Sequence, residues 1–328
     1  MDSFIKIAEK LKKSENIIIF PHLNVDGDAL GSSSALCMAL KKLRKNAVVY
    51  VNDKVPENLD FLVYDSVTDD VSDFTESYTA VMLDCSSLNR IKGREESFTG
   101  ADFKICLDHH MISEGEICFD LKHIEPDSAA TGELVYSLIK ELGCGLDLKI
   151  AEALFTAITT DTGNFQHSNT TARTHKIAAA LYEVENFNSK KISTLLYERN
   201  SFSSLRLEAM MTENLTLYYS GKIAVGKITR KMLLETGCTL DETEGFVQKI
   251  MSINGVEVGA LLKESDTGKI RISLRSKSYA NVAAVAASFG GGGHIRAAGC
   301  TLPVSIEKAE QLISESLTDK LKREEYDR

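Results

Sequence analysis

Short apolar runs alternate with helical repeats through the first half of the chain. Phe4, Ile7, Ala8 and Leu11 share one helical face, and Ile17-Ile18-Ile19-Phe20 reads as a buried strand. Ala29, Leu30, Ala35, Leu36, Leu40 and Leu43 then recur at helical spacing. Val48 to Val51 predicts a second strand, and residues 53–76, acidic with a turn signal at Pro56, predict no long element. Two further apolar runs end in polar chemistry. Ala80-Val81-Met82-Leu83 stops at Asp84, and Phe103 to Leu107 stops at Asp108-His109-His110. Strands interleaved with helices indicate an α/β sheet of parallel strands. In such a sheet the loops after the strands line the ligand crevice.

Helical patterns dominate from Ala129 to about Leu207. They cover Ala130–Leu142, ending at a C-cap Gly143, then Leu148–Thr160, ending at Asp161, then Ala172–Tyr182 and Ile192–Tyr197. Residues 186–212 lack Pro and Gly and read as a helical connector. From about 213 the pattern turns to short strands, Leu215–Tyr219, Ile223–Ile228, Val256–Lys263 and Lys269–Arg275, separated by turns and two helical patches. A small-residue helix, Val282–Phe289, leads into a glycine tract, and Ile306–Lys322 predicts an amphipathic closing helix. The expected layout is an N-terminal α/β domain over 1–185, with helices on both faces of a parallel sheet. The connector 186–212 and a smaller α/β domain over 213–328 follow.

A chain of 328 residues fits two domains. Its net charge of -9, from 38 basic and 47 acidic residues, disfavours long duplex nucleic acid as a partner. A small phosphorylated ligand stays compatible if bound divalent cations reverse the local sign. No run nears the ~18 apolar residues of a membrane span, and no signal-peptide core precedes the first strand. Seven cysteines without a C-x-x-C pair suggest reduced thiols in a cytoplasm and no structural zinc. Cys37, Cys85, Cys106 and Cys118 read as small core residues.

Two constellations carry chemistry. The first is His22, Asp26, Asp28, Asp84, Asp108, His109, His110 and Asp161. One Asp after a strand is commonly a helix N-cap. Here four separated segments each place a carboxylate or imidazole at an element end, with no nearby Lys or Arg to neutralise them. Oxygen-rich donors with one or two imidazoles suit Mn²⁺ or Mg²⁺, and six or more donors suit two ions sharing a carboxylate. His123, His167 and His175 fall outside these blocks and read as surface or packing histidines. The second constellation is the tract Gly290 to Gly293 with His294 and Arg296, together with Arg275-Ser276. Consecutive glycines serve as a flexible loop or, beside a basic cluster, as a backbone grip for phosphate. No Gly-Lys-Ser/Thr follows, so it is not a Walker loop.

The run His22-x-x-x-Asp26-Gly27-Asp28-Ala29-x-Gly31-Ser32, with Asp84, Asp108-His109-His110 and Asp161, resembles the four motifs of the DHH phosphoesterases. The Gly290–Gly299 stretch resembles the signature of the associated DHHA1 domain, and the layout is similar to that of the stand-alone bacterial nanoRNases. The resemblance implies a phosphodiesterase with two Mn²⁺, for which Mg²⁺ or Co²⁺ could substitute. It would cleave short 5′-phosphorylated single-stranded RNA and dinucleotides such as pApA to mononucleotides, with 3′-phosphatase activity on pAp. It also implies that His22, Asp26 and Asp84 hold one ion and that Asp28, Asp84, His109 and Asp161 hold the other. His110 would contact the scissile phosphate and Asp108 would orient the imidazoles. Arg275, Ser276, Gly291, Gly292, Gly293 and His294 would grip the nucleotide. A homodimer through the N-terminal domain is implied by resemblance alone. Ser87 departs from the pattern, standing where relatives often carry an acidic residue. Two alternatives stay open, a cyclic di-AMP phosphodiesterase and a non-catalytic nucleotide sensor.

Overall fold

The computed structural model describes residues 4–74, 76–110, 118–243 and 245–326. The chain divides into two compact units, Met1–Arg199 and Asn200–Arg328. In the first, α1 (Phe4–Lys13), β1 (Asn16–Phe20), α2 (Gly27–Lys42), β2 (Asn46–Tyr50) and β3 (Val67–Thr68) precede β4 (Thr79–Leu83) and α3 (Glu95–Thr99). Then come β5 (Phe103–Asp108), β6 (Leu121–Ile124), α4 (Thr131–Glu141), α5 (Leu148–Asp161), α6 (Ala172–Tyr182) and α7 (Ser189–Tyr197).

The six strands lie in the order β3-β2-β1-β4-β5-β6, and every pairing is parallel. All carboxyl ends therefore share one edge. Strand order runs outward from β1 through β2 to β3, then resumes at β4 on the other side of β1. This makes β1 and β4 flank a switch point, where loops diverge and leave a crevice. The period-2 pleat sends alternate β1 side chains to opposite faces. Ile17 and Ile19 pack into the core under α1, α2, α4 and α5, and Ile18 and Phe20 meet Ile91 and Phe98 on the other side. Each such burial contributes roughly 1.5–3 kcal/mol. Helices thus cover both faces, the second with only short elements, the 3-10 turn Leu88–Ile91 and α3.

Helix α2 is buried over most of its length, which its small residues permit. A Cβ at Gly31 would sit 2.5 Å from the Ala153 carbonyl oxygen of α5. Gly31→Ala should therefore push the two helices apart and cost about 1–3 kcal/mol, read as a lowered midpoint in thermal unfolding.

Among the described residues, 53–76 hold no long element, only a 3-10 turn, Glu57–Leu62, and the two-residue edge strand β3. Two features depart from the sequence-based expectation. The edge strand β6, Leu121-Lys122-His123-Ile124, went unforeseen because two polar side chains interrupt its apolar signal. Cys118 is exposed, unlike buried Cys37, Cys85 and Cys106, because it lies in irregular chain before β6. All seven cysteines are unpaired. Among the described residues, no helix is long and apolar enough to cross a membrane.

The second unit holds α8 (Phe202–Glu213), β7 (Thr216–Tyr218), β8 (Ile223–Ile228), α9 (Arg230–Thr236), α10 (Phe246–Met251), β9 (Val258–Glu264) and β10 (Ile270–Ser276). It continues with α11 (Val282–Ser288), β11 (Gly292–His294), β12 (Ala297–Leu302) and α12 (Ile306–Tyr326). Its sheet order is β11-β12-β10-β9-β8-β7, antiparallel except between β8 and β9. Helices α11 and α12 pack on one face and α8, α9 and α10 on the other. The glycine tract is not a plain loop. Gly292 and Gly293 pair with Gly299 and Ala298 in an edge hairpin. That close approach requires glycine at Gly291, where a Cβ would lie 2.1 Å from the Gly299 carbonyl oxygen.

Candidate metal centre

The site is assembled at the switch point, from the loops after β1, β4 and β5 and the end of α5. The buried His22 directs Nδ1 to its neighbour's carbonyl, Leu23 O, at 2.8 Å. Its Nε2 thereby faces Asp26 Oδ2 at 3.4 Å and Asp84 Oδ2 at 3.5 Å. Asp26 is also the N-cap of α2, its Oδ1 accepting the Ala29 N–H at 3.0 Å. One carboxylate thus starts the helix and presents its other oxygen to the cluster.

Asp84 follows β4 in the left-handed region, with φ of 61°. For a non-glycine residue this costs about 1–2 kcal/mol, the kind of strain that concentrates at functional sites. The turn aims its carboxylate between two groups of donors. Oδ2 meets His22, and Oδ1 lies 3.5 Å from His109 Nε2 and 3.7 Å from His110 Nδ1. His109 directs Nδ1 to Ser128 O at 3.1 Å, leaving Nε2 toward Asp161 Oδ2 at 3.1 Å and Asp28 Oδ2 at 3.7 Å. Asp108 acts on the neighbouring imidazole, its Oδ1 lying 2.7 Å from His110 Nδ1 and accepting the His110 N–H at 3.0 Å.

Sequence reasoning missed what holds this cluster from behind, the N-terminal turn of α4. Thr131 N–H donates to Asp28 Oδ2 at 2.6 Å and Gly132 N–H to Asp28 Oδ1 at 2.9 Å, while Thr131 Oγ1 donates to Asp84 Oδ1 at 2.8 Å. Ser32, one turn along α2, adds a hydroxyl to Asp28 Oδ1 at 2.8 Å. Buried Glu133 accepts from Ser128 Oγ at 3.0 Å, steadying the residue whose carbonyl binds His109. The signal was present as Ser128-Ala129-Ala130-Thr131-Gly132-Glu133, small polar residues opening a helix. Thr131→Val should weaken metal binding about 10- to 100-fold with little change in fold, checked by titration calorimetry. His167, read as a surface histidine, is exposed, yet its Nδ1 lies 3.3 Å from the Asp161 carbonyl.

The electrostatics calls for cations. Burial alone would lower the His22 imidazole, but Asp26 and Asp84 outweigh it and hold it up at about 10. Burial and the charges of Asp84 and Asp161 push the Asp28 carboxyl well up. Burial likewise raises Asp161, with Asp84 adding to it. Protons are thus drawn to a site whose acids repel one another. His109 Nε2 is buried with no hydrogen bond of proper geometry, as a ring nitrogen reserved for a metal would be. Donor atoms of His22, Asp26 and Asp84 lie within 4.8 Å of one another, as do those of Asp28, His109 and Asp161 and those of Asp84, His109 and His110. The oxygen-rich donor set fits hard divalent ions.

Comparison with known proteins agrees with this geometry. Residues 16–158 match the DHH family, N-terminal domain, and residues 220–323 match the DHHA1 domain. The bifunctional oligoribonuclease and PAP phosphatase NrnA of Thermus thermophilus is 31% identical over 98% of this chain and 95% of that protein. The chain belongs to the DHH family.

Another relative, the probable bifunctional oligoribonuclease and PAP phosphatase NrnA of Streptococcus mutans, is 28% identical over 91% of this chain and 93% of its own. A crystal structure of an exopolyphosphatase-related protein from Bacteroides fragilis superposes with a TM-score of 0.90 at 27% identity, covering 96% of each chain.

In the DHHA1 domain the expected nucleotide-gripping residues gather around β10, β11 and β12. Arg275 is part-buried and donates to its own neighbour's carbonyl, Leu274 O, at 3.0 Å. Ser276 is buried and spends its hydroxyl on Ala280 O at 2.6 Å. Gly291 N–H closes α11 by donating to Ala286 O at 2.9 Å, so its use to a ligand would be close approach rather than donation. Gly292 and Gly293 lie on the edge strand with His294, whose side chain falls outside the description. The turn after β10 is fixed by Glu257, which accepts from the N–H groups of Ser278, Tyr279 and Ala280 at 2.7 to 3.2 Å. Burial would raise that carboxyl, but those donors outweigh it and lower it. The stability it supplies is present above the ordinary glutamate value and is lost as pH falls through the lowered one. Glu257→Gln should cost about 1–3 kcal/mol in thermal unfolding at neutral pH, less in acid.

Proposed function

We propose that this DHH-family chain is a cytoplasmic Mn²⁺-dependent phosphodiesterase. It would hydrolyse short 5′-phosphorylated oligoribonucleotides, including pApA, to mononucleotides and remove the 3′-phosphate of pAp. The observation that carries the reading is Asp84, whose two oxygens turn to two different donor sets. Similarity along nearly the whole chain to proteins named as oligoribonucleases and PAP phosphatases supports the substrate class.

In this reading His22, Asp26 and Asp84 hold one ion, and Asp28, Asp84, His109 and Asp161 hold the second. Mg²⁺ or Co²⁺ could serve in place of Mn²⁺. Bound there, a pair of divalent ions would supply Lewis acidity toward phosphoryl oxygens and lower the pKa of the attacking water. The chain's own residues do the rest. Burial lowers the His110 imidazole, but Asp108 and Asp84 outweigh it and raise it above its ordinary value, which favours the cationic form that binds a phosphoryl oxygen. Thr131 and Gly132 keep Asp28 and Asp84 from swinging as charge redistributes. Arg275, Ser276, Gly291, Gly292, Gly293 and His294 serve the nucleotide. Arg275→Ala should mainly raise KM, because its guanidinium binds ground state and transition state alike. A homodimer through the N-terminal unit belongs to the same reading, and sedimentation would report it.

Timed hydrolysis of pApA, pAp and cyclic di-AMP under one Mn²⁺ condition tests the substrate. Consumption of pApA and pAp is expected. Cyclic di-AMP consumed far faster than the linear dimer would make the protein a cyclic-dinucleotide enzyme, and pAp binding without turnover would make it a sensor.

A further inference from the structure

A buried arginine and a half-buried aspartate outside the donor set lie beside the loop that carries His22 and Asp26. Arg94 is 1% exposed, yet its only hydrogen bond through the guanidinium among the described residues is from Nη1 to Tyr50 O, the last carbonyl of β2. Its Nε and Nη2 are buried without a hydrogen-bond partner among the described residues. The guanidinium also lies 5.8 Å from the centre of the Tyr50 ring. Burying an arginine this way is costly unless a carboxylate answers it. Asp53, three residues beyond Tyr50, is the carboxylate that most strongly supports the Arg94 charge against burial. Asp53 Oδ1 is buried without a hydrogen-bond partner among the described residues, and its Oδ2 accepts the Asn24 N–H.

Asn24 is the turning point of the loop. It sits in the left-handed region at φ of 53°, between His22 and Asp26. The preceding Leu23 N–H donates to Arg90 O at 2.6 Å. The loop is thus tied by two consecutive N–H groups, one to the segment carrying Arg90 and Arg94 and one to Asp53. Neither tie involves a metal donor, so they set the path of the loop from outside the cluster.

We propose that Asp53 is a positioning residue of the metal loop: by accepting the Asn24 N–H, it sets the left-handed turn that brings His22 and Asp26 to face Asp84. The inference rests on reading those three residues as metal ligands. Outer groups that orient metal ligands typically change affinity 10- to 100-fold when removed. The effect here falls on one ion only, because Asp28 is held by α4, His109 by the Ser128 carbonyl and Asp161 by its place at the end of α5.

The test is Mn²⁺ binding to the full chain, followed by calorimetry and by the electron-spin signal of unbound Mn²⁺. Wild type would be compared with Asp53→Ala and Asp53→Asn, and with Asp266→Ala as an exposed control. Asp53→Ala should weaken one of two Mn²⁺ equivalents by about 10- to 100-fold and leave the other unchanged. Asp53→Asn keeps an acceptor and should fall between, and it carries the test should the alanine variant not fold. A purely structural role would lower the melting temperature while leaving Mn²⁺ affinity and stoichiometry at wild-type values, and that result overturns the proposal. If wild type itself takes up no Mn²⁺, the ligand reading fails first and the positioning role with it.

Discussion

Replacing Asp84 by alanine is expected to lower kcat for pApA by about 10³-fold or more while leaving the chelated protein no less stable than wild type. Asp84 is the carboxylate whose oxygens meet both His22 and His109, so its removal strips a donor from each donor set at once. Loss of a single preorganised stabilising group commonly costs 10²- to 10³-fold, and a shared ligand should cost more. Without a cation, however, Asp84 is a liability to the fold. It is 2% exposed, and its charge raises the cost of ionising Asp28 and Asp161. Alanine relieves the repulsion, which offsets the lost Thr131 hydroxyl bond and His22 contact, and it keeps the N–H bonds of Thr131 and Gly132 to Asp28. Steady-state kinetics beside thermal unfolding in chelator checks both halves. A variant that loses stability in proportion to activity would mean that Asp84 is a structural residue.

Adding Mn²⁺ to chelated wild-type protein should raise the melting temperature of the first unit by about 5–10 °C at a hundredfold excess over Kd. Binding to the folded state alone contributes about 2.7 kcal/mol at that concentration, and a unit of this size shifts about 2–4 °C per kcal/mol. The gain should widen with pH. The raised His22 value means that its protonated form stabilises the metal-free fold fully below the ordinary histidine value of about 6.5, a contribution lost as pH rises through about 10. Metal binding displaces that proton, so its competition fades over the same window. Differential scanning fluorimetry across pH 6.5 to 9, with and without Mn²⁺, measures it. In Asp84→Ala the Mn²⁺ response should nearly vanish.

The donors were legible in the sequence because strand ends announce themselves. An apolar run that stops at Asp84, or at Asp108-His109-His110, places those residues on the sheet edge before any contact is known. The bounds read for α6, Ala172 to Tyr182, match the structure, where Thr171 and Thr174 close a capping box. What the sequence withheld was supplied by long-range packing. The hold of Thr131 and Gly132 on Asp28 joins residues more than a hundred positions apart. The edge hairpin of Gly292–His294 has no side-chain pattern, because its pairing depends on glycines passing close to Gly299. The tie from Asp53 to Asn24 lies in a stretch where the apolar pattern fails altogether.

The most direct test of the two-cation site is diffraction measured at the manganese absorption edge, from crystals of the wild-type chain grown with Mn²⁺. Two anomalous peaks roughly 3.5–4 Å apart are predicted. Asp84 Oδ2 should touch the ion beside His22 and Asp26, and Oδ1 the ion beside His109, Asp28 and Asp161. A single peak, or peaks that Asp84 does not reach, would contradict the account.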